Sequence, residues 1–255
     1  MKLVVDKASL VSVADAIRSK GGTTEELEFP QGFVSAVNAI ESGGGGAEDY
    51  YKNIIQEALY KYEGSSNYHR ISVFAGTSIE DVSMFDFSKV KVFSYAFWGS
   101  NIKELELDLS NASGDLSYLC SDCLNLTKVI LKNMSSAYTA GTRMFGGSST
   151  LETVETLDFS GFKTFGSNAN YQPFYNCTSL KEIGIVENCI KSSISFVWSA
   201  DLSDNSIEII LKALAPVETQ QILTVHQTVY NKMLDNEYLS DLFIQAMDKG
   251  WDISY

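Results

Sequence analysis

Phe174-Tyr175-Asn176-Cys177-Thr178-Ser179-Leu180-Lys181-Glu182-Ile183-Gly184-Ile185 decides the fold. It joins an irregular turn to a short strand with alternating apolar positions. An aromatic stands six residues before Leu180, a small residue three before it, and apolar residues at +3 and +5. Such a segment cannot bury its apolar side alone, so copies of it are expected.

The same pattern recurs upstream. Phe145-Gly146-Gly147-Ser148-Ser149-Thr150-Leu151 and Cys120-Ser121-Asp122-Cys123-Leu124-Asn125-Leu126 are read with the same offsets. Phe97-Trp98-Gly99-Ser100-Asn101-Ile102 and Phe74-Ala75-Gly76-Thr77-Ser78-Ile79 are one residue shorter. The anchors Ile79, Ile102, Leu126, Leu151 and Leu180 lie 23, 24, 25 and 29 residues apart. That is the coil length of a leucine-rich solenoid, in which each coil covers the apolar face of the next. An α+β chain is expected, with about five coils of stacked short strands over residues 47–200, the first covered by an amphipathic helix at 47–62 that carries Tyr51, Ile54, Ile55, Ala58 and Leu59.

The tract resembles the BspA-type leucine-rich repeats of bacterial surface proteins and of some phage and prophage proteins. The resemblance rests on the aromatic followed by Asn-Cys-x-Ser-Leu and an alternating strand, matched closely at residues 174–185 and more loosely in the other units. It implies one curved sheet with looser turns opposite.

Residues 6–40 read as two helices, with Leu10, Val13, Ala14 and Ile17 at helical spacing and Gly21-Gly22 ending the first. Pro30 suits the first turn of the second, whose stripe is Phe33, Val37 and Ile40. From residues alone this is a helical hairpin. The order Gly22-Thr23-Thr24, Phe29-Pro30-Gln31-Gly32-Phe33 is similar to a small module near the N-termini of phage and prophage tail proteins. That resemblance implies attachment of residues 1–42 to tail or baseplate proteins. Gly43-Gly44-Gly45-Gly46 then reads as a flexible linker and a domain boundary.

Residues 201–255 change character. Ser203 or Asp204 caps a helix with Ile207, Ile210, Leu211 and Leu214 inward, ended by Pro216. A strand at Ile222–Val225, a short helix near Thr228–Leu234, a helix opened by Asn236 or Asp235, and a strand from Trp251 follow. This order, ending in Lys249-Gly250-Trp251, resembles the C-terminal α/β cap of BspA-type proteins in phage genomes.

Composition narrows the function. A net charge of −13 opposes binding to nucleic acid or to an anionic leaflet. No run of about 18 apolar residues predicts a membrane span, and Met1–Val5 does not read as a signal peptide. Synthesis in a bacterial cytoplasm is therefore expected, and the tail resemblance implies a place in the virion, acting at the host cell surface.

Little in the sequence suggests chemistry. The two histidines, His69 and His226, lie outside any nucleophile–base or metal motif. Cys120 and Cys123 have ligand spacing, but Cys177 and Cys189 break a four-cysteine zinc pattern. Cys120, Cys123 and Cys177 also occupy repeat positions filled elsewhere by Phe, Gly or Ser, so buried structural thiols are expected. Asp86, Asp108 and Asp158, each between apolar neighbours and followed two residues later by a serine, would line up as an acidic row. Lys132 at the equivalent place makes it read as a solvated charge ladder rather than a calcium site. No enzyme, metal or cofactor is expected.

What remains is surface. Tyr95, Trp98, Tyr118, Tyr138, Tyr171, Tyr175 and Trp198 are rigid rings among small polar residues, and such rings suit recognition of a host glycan or protein. They equally suit filling of turns between coils. The leading expectation is a phage or prophage tail-associated binding protein of the receptor-binding type. A bacterial surface adhesin and an intracellular inhibitor or decoy are the competing readings. A homo-oligomer is compatible with the first, although no heptad tract drives one.

Overall fold

A computed structural model describes residues 14–15, 46–60, 74–166 and 168–255. The expected tail-attachment module and the linker up to Gly45 lie outside the described residues, save for Ala14 and Asp15, which are helical. The described chain combines helices with parallel sheets.

From Phe74 onward the chain returns upon itself at the spacing of the anchors. The amide that follows each anchor donates to its counterpart one turn earlier. The series runs Lys103 to the carbonyl of Glu80 (3.1 Å), Thr127 to Lys103 (2.8 Å), Glu152 to Thr127 (2.9 Å), Lys181 to Glu152 (2.9 Å) and Ser203 to Lys181 (3.0 Å). Ile102, Leu126, Leu151 and Leu180 are fully buried beneath this ladder.

Four strands continue from it, β1 (Glu104–Asp108), β3 (Lys128–Lys132), β5 (Thr153–Leu157) and β6 (Glu182–Ile185), paired in parallel in that order, while the short β2 (Gly114–Asp115) and β4 (Tyr138–Ala140) pair with each other. Leu105, Val129, Val154 and Ile183 stand in register and all point inward. Their alternation follows from the period of two in a strand with one face buried. On the outer face Lys132 pairs with Glu106, Lys128 with Glu155 at 2.8 Å, and Lys181 with Glu152 at 3.5 Å.

Two units depart from the expected offsets. The +5 position after Leu151 is Thr156, which adopts φ 65° while the register shifts, so that Leu157 pairs with Ile185 and enters the core. A one-residue bulge restores the apolar phase. After Ile79, likewise, Met84 is exposed and Phe85 buried.

Asp108 and Asp158 stand at the ends of β1 and β5 rather than along them, and Asp86 makes the same turn where no strand precedes it. Each accepts the amide of the serine two residues on, Asp86 from Ser88 (2.8 Å), Asp108 from Ser110 (2.9 Å) and Asp158 from Ser160 (2.8 Å). This short side-chain turn competes with the ladder and directs the chain out of it. Asp108 also accepts from Asn133 at 3.0 Å, and its carboxyl is held below the usual range first by that bond.

A sixth unit, not expected from sequence, closes the series. Phe196 stands six residues before Leu202 and Ser199 three before it, and Phe196 stacks on Phe174 at 4.8 Å. In place of a strand, Ser203 then caps helix α2 (Asp204–Ala213). Ser206 Oγ, on α2, accepts the Ile183 amide at 3.0 Å, while Ser203 and Ser206 both donate to Glu182. The helix thereby covers the open edge of β6, where unpaired amides would otherwise invite another chain.

At the other end, helix α1 (Gly46–Tyr60) buries Leu59 and packs Ile55 on the core, and Gln56 exchanges two hydrogen bonds with the Asp86 backbone. The C-terminal region has strands β7 (Ile194–Phe196), β8 (Gln221–Val225) and β9 (Trp251–Ser254) as a parallel sheet. Helices α3 (Gln227–Asp235) and α4 (Glu237–Asp248), capped by His226 and Asn236, connect the last two strands. No described helix is long and apolar enough to cross a membrane.

Candidate functional site

The turns that lead into the strands are as regular as the strands. Two residues after the aromatic position stand Gly76, Gly99, Asp122, Gly147 and Asn176, all with φ between 54° and 88°. Glycine, asparagine and aspartate are the residues that tolerate this left-handed conformation. The amides of the first four reach the next coil, from Gly76 to Trp98 (2.7 Å), Gly99 to Ser121 (2.8 Å), Asp122 to Gly146 (2.9 Å) and Gly147 to Tyr175 (2.7 Å).

Beneath the turns the aromatic position forms a column. Phe74 stacks on Phe97 at 5.5 Å, and Phe145 stacks on Phe174 at 5.3 Å, with Cys120 between the two pairs. The small position supplies donors. Cys123 Sγ, Ser148 Oγ and Cys177 Sγ donate to the carbonyls of Phe97, Cys120 and Phe145, each one coil earlier, at 3.0, 2.7 and 3.3 Å. Burial pushes all four thiols up, Cys123 and Cys189 to about 11. At neutral pH they are protonated donors and poor nucleophiles.

Two residues before the aromatic position the backbone is left-handed again, now with bulky side chains at Tyr95, Tyr118 and Arg143 (φ 59°, 57° and 48°). Such residues cost about 1–3 kcal/mol each in this region and cluster where a site needs them. Their side chains build one continuous row. Tyr95 stacks on Tyr118 at 4.6 Å and meets Trp98 edge-on at 6.5 Å. Arg143 lies against the Tyr118 ring (5.9 Å) and the Tyr175 ring (4.8 Å), and Tyr175 meets Trp198 edge-on at 5.4 Å.

Asp122 ties the row together. Its carboxylate accepts Trp98 Nε1 at 2.9 Å and Ser121 Oγ at 3.2 Å, and it pairs with Arg143 at 3.4 Å. Two glycines make room. A Cβ on Gly147 would sit 2.0 Å from Asp122 Oδ1, and one on Gly146 would sit 3.1 Å from Arg143 Nε. That Nε is buried without a hydrogen-bond partner among the described residues. The two rings and Asp122 compensate the guanidinium, and the forgone bond is a further local cost.

At the Trp198 end the row opens into a shallow depression of about 430 Å³ lined by Thr178, Val197, Trp198, Ala200 and His226. His226 Nδ1 accepts the Thr228 amide at 3.2 Å as the cap of α3, which leaves the proton of a neutral ring on Nε2.

Of the rings singled out from sequence, Tyr95, Trp98, Tyr118, Tyr175 and Trp198 come together here, with Trp98 and Trp198 43% and 41% exposed. Tyr171 is exposed at the end of a short 3-10 turn, Ala169–Tyr171, and its carbonyl accepts the Arg143 amide at 2.9 Å. Tyr138 is a correction. It is wholly buried, and its hydroxyl donates to the Leu109 carbonyl at 2.9 Å, so no ligand reaches it. Asp122 and Arg143 escaped the sequence reading. Their signals were a charged residue in the Gly/Asn slot and an arginine in the slot that Tyr95 and Tyr118 fill in the two preceding coils.

Comparison with protein-family models, with curated proteins and with solved structures gives no match to this chain.

Proposed function

We propose that the chain is a non-enzymatic binding protein of a phage or prophage tail, in which a BspA-type leucine-rich-repeat solenoid contacts a component of the host surface. Residues 1–42 attach to tail or baseplate proteins, and the capped repeats carry the recognition. Repetition on one particle supplies avidity without new contacts. The observation that carries the binding role is the row from Tyr95 to Trp198, where the exposed rings of Trp98 and Trp198 accompany half-buried Tyr95, Tyr118, Asp122 and Arg143 held on left-handed backbone. Rings of this kind give contact area at low entropic cost. The likeness of residues 10–33 to tail-protein modules supports the placement on a tail.

Two measurements test the reading. Fluorescently labelled full chain is expected to bind a restricted subset of a panel of bacterial strains. Gold-labelled antibody against the chain is expected to decorate phage tails in electron micrographs of particles induced from the source strain. Particles without label sink the tail placement, and uniform failure to bind cells sinks the surface-binding role.

A further inference from the structure

The row is long, narrow and chemically mixed. Parallel pairing puts successive coils about 4.8 Å apart, so the four steps from the coil of Trp98 to that of Trp198 span on the order of 19 Å. That length suits an extended polymer rather than one small molecule. Trp98 and Trp198 offer exposed rings near its two ends, and Asp122 and Arg143 offer an acceptor and a donor between them. Thr178 and His226 line the depression beyond Trp198.

We infer that this row binds an uncharged polysaccharide chain laid across the coils, with one end of the chain in the depression beside Trp198 and His226. The inference rests on the surface-binding role proposed above and names its ligand class. Sugar rings present C–H faces that pack on aromatic rings and hydroxyls that both donate and accept, which is the set of groups the row offers. Charge selects against polyanions. The chain carries −13 overall, and the arginine of the row is already matched by Asp122. Trp, Tyr and Arg also anchor protein partners, but there they cluster in a central pocket that desolvates fully, whereas the two exposed rings here stand near opposite ends of the row. Here the rings are flanked by Gly99, Ser121, Gly146 and Thr178, while exposed aliphatics such as Ile244 and Met247 lie apart on α4.

The test uses the full chain on an array of linear gluco-, manno-, galacto- and N-acetylglucosamine oligomers beside polyuronates and teichoic acids. Intrinsic fluorescence is an independent readout, because Trp98 and Trp198 are exposed whereas Trp251 is buried and bonded to the Ala215 carbonyl. The expected result is binding to one uncharged series that tightens with oligomer length and shifts the emission to the blue. Trp98→Ala and Trp198→Ala each weaken it roughly tenfold, within the reach of one aromatic contact, and Ile244→Ala leaves it unchanged. Binding to the anionic polymers alone overturns the inference, as does unchanged affinity in both folded tryptophan variants. If the array is blank but bacteria are bound, loss of binding after periodate treatment of the cells supports a glycan of another composition. Loss after protease treatment instead overturns the glycan and leaves the surface-binding role standing. A chain that binds neither array nor cells fails at the surface-binding role itself.

Discussion

Gly147→Ala couples the backbone of the turns to the chemistry of the row. Gly147 has φ 88°, so alanine there pays the left-handed penalty of about 1–2 kcal/mol. Its Cβ would also lie 2.0 Å from Asp122 Oδ1. Because that oxygen ends a side chain, the carboxylate swings away instead of the backbone moving. The swing breaks the bond from Trp98 Nε1 and the Arg143 pair, which together are worth about 1 kcal/mol at a half-exposed position. The sum is roughly 2–3 kcal/mol. In an Asp122→Ala background there is no carboxylate to displace, and the same change is expected to cost only about 1–2 kcal/mol. Urea denaturation of the four proteins, followed by circular dichroism, measures the cycle. A coupling of about 1 kcal/mol is expected. Strictly additive costs would show that Gly147 does not seat Asp122, and a cost below about 0.5 kcal/mol would remove the left-handed requirement.

Other perturbations follow from the same geometry. Phe145→Ala, in the middle of the buried column, is expected to lower stability by about 3–5 kcal/mol in urea unfolding, whereas exposed Trp98→Ala changes it by less than about 1 kcal/mol. The four buried thiols, with Cys123 and Cys189 pushed up to about 11, are expected to resist Ellman's reagent at pH 8 in the native protein and to react fully in denaturant. Rapid native labelling of any one contradicts its place in the core. Asp108 is held below its ordinary value near 3.8, so its contribution is present above that value and disappears as pH falls through the lower folded one. Asp108→Ala is therefore expected to melt below the wild type at pH 7, with the gap narrowing in strong acid, while Asp108→Asn, which keeps the turn acceptor but not the charge, falls between the two at pH 7.

The buried positions were legible because burial and period coincide in this chain. Ile102, Leu126, Leu151 and Leu180 recur at coil spacing, and residues three beyond them must face inward if the anchors do. Thr156 and Met84 show where that logic stops. A bulge shifts the phase by one residue, and no local propensity announces it. The sixth unit was hidden because Phe196, Ser199 and Leu202 keep the turn pattern while Ser203 starts a helix in place of the strand. Tyr138 misled because a tyrosine in a variable position looks like surface until its hydroxyl finds the Leu109 carbonyl. Asp122 and Arg143 were missed for a different reason. Neither matters by itself, and their pairing across two coils exists only after the chain has wound.

Hydroxyl-radical footprinting of the full chain on intact bacteria that it binds tests most directly whether the row is the binding face. Protection of Trp98, Tyr118, Tyr175 and Trp198 is expected, with Met84, Ile244 and Met247 oxidised as in the free protein. Protection confined to the outer face of β1, β3, β5 and β6, or to α4, would contradict the assignment.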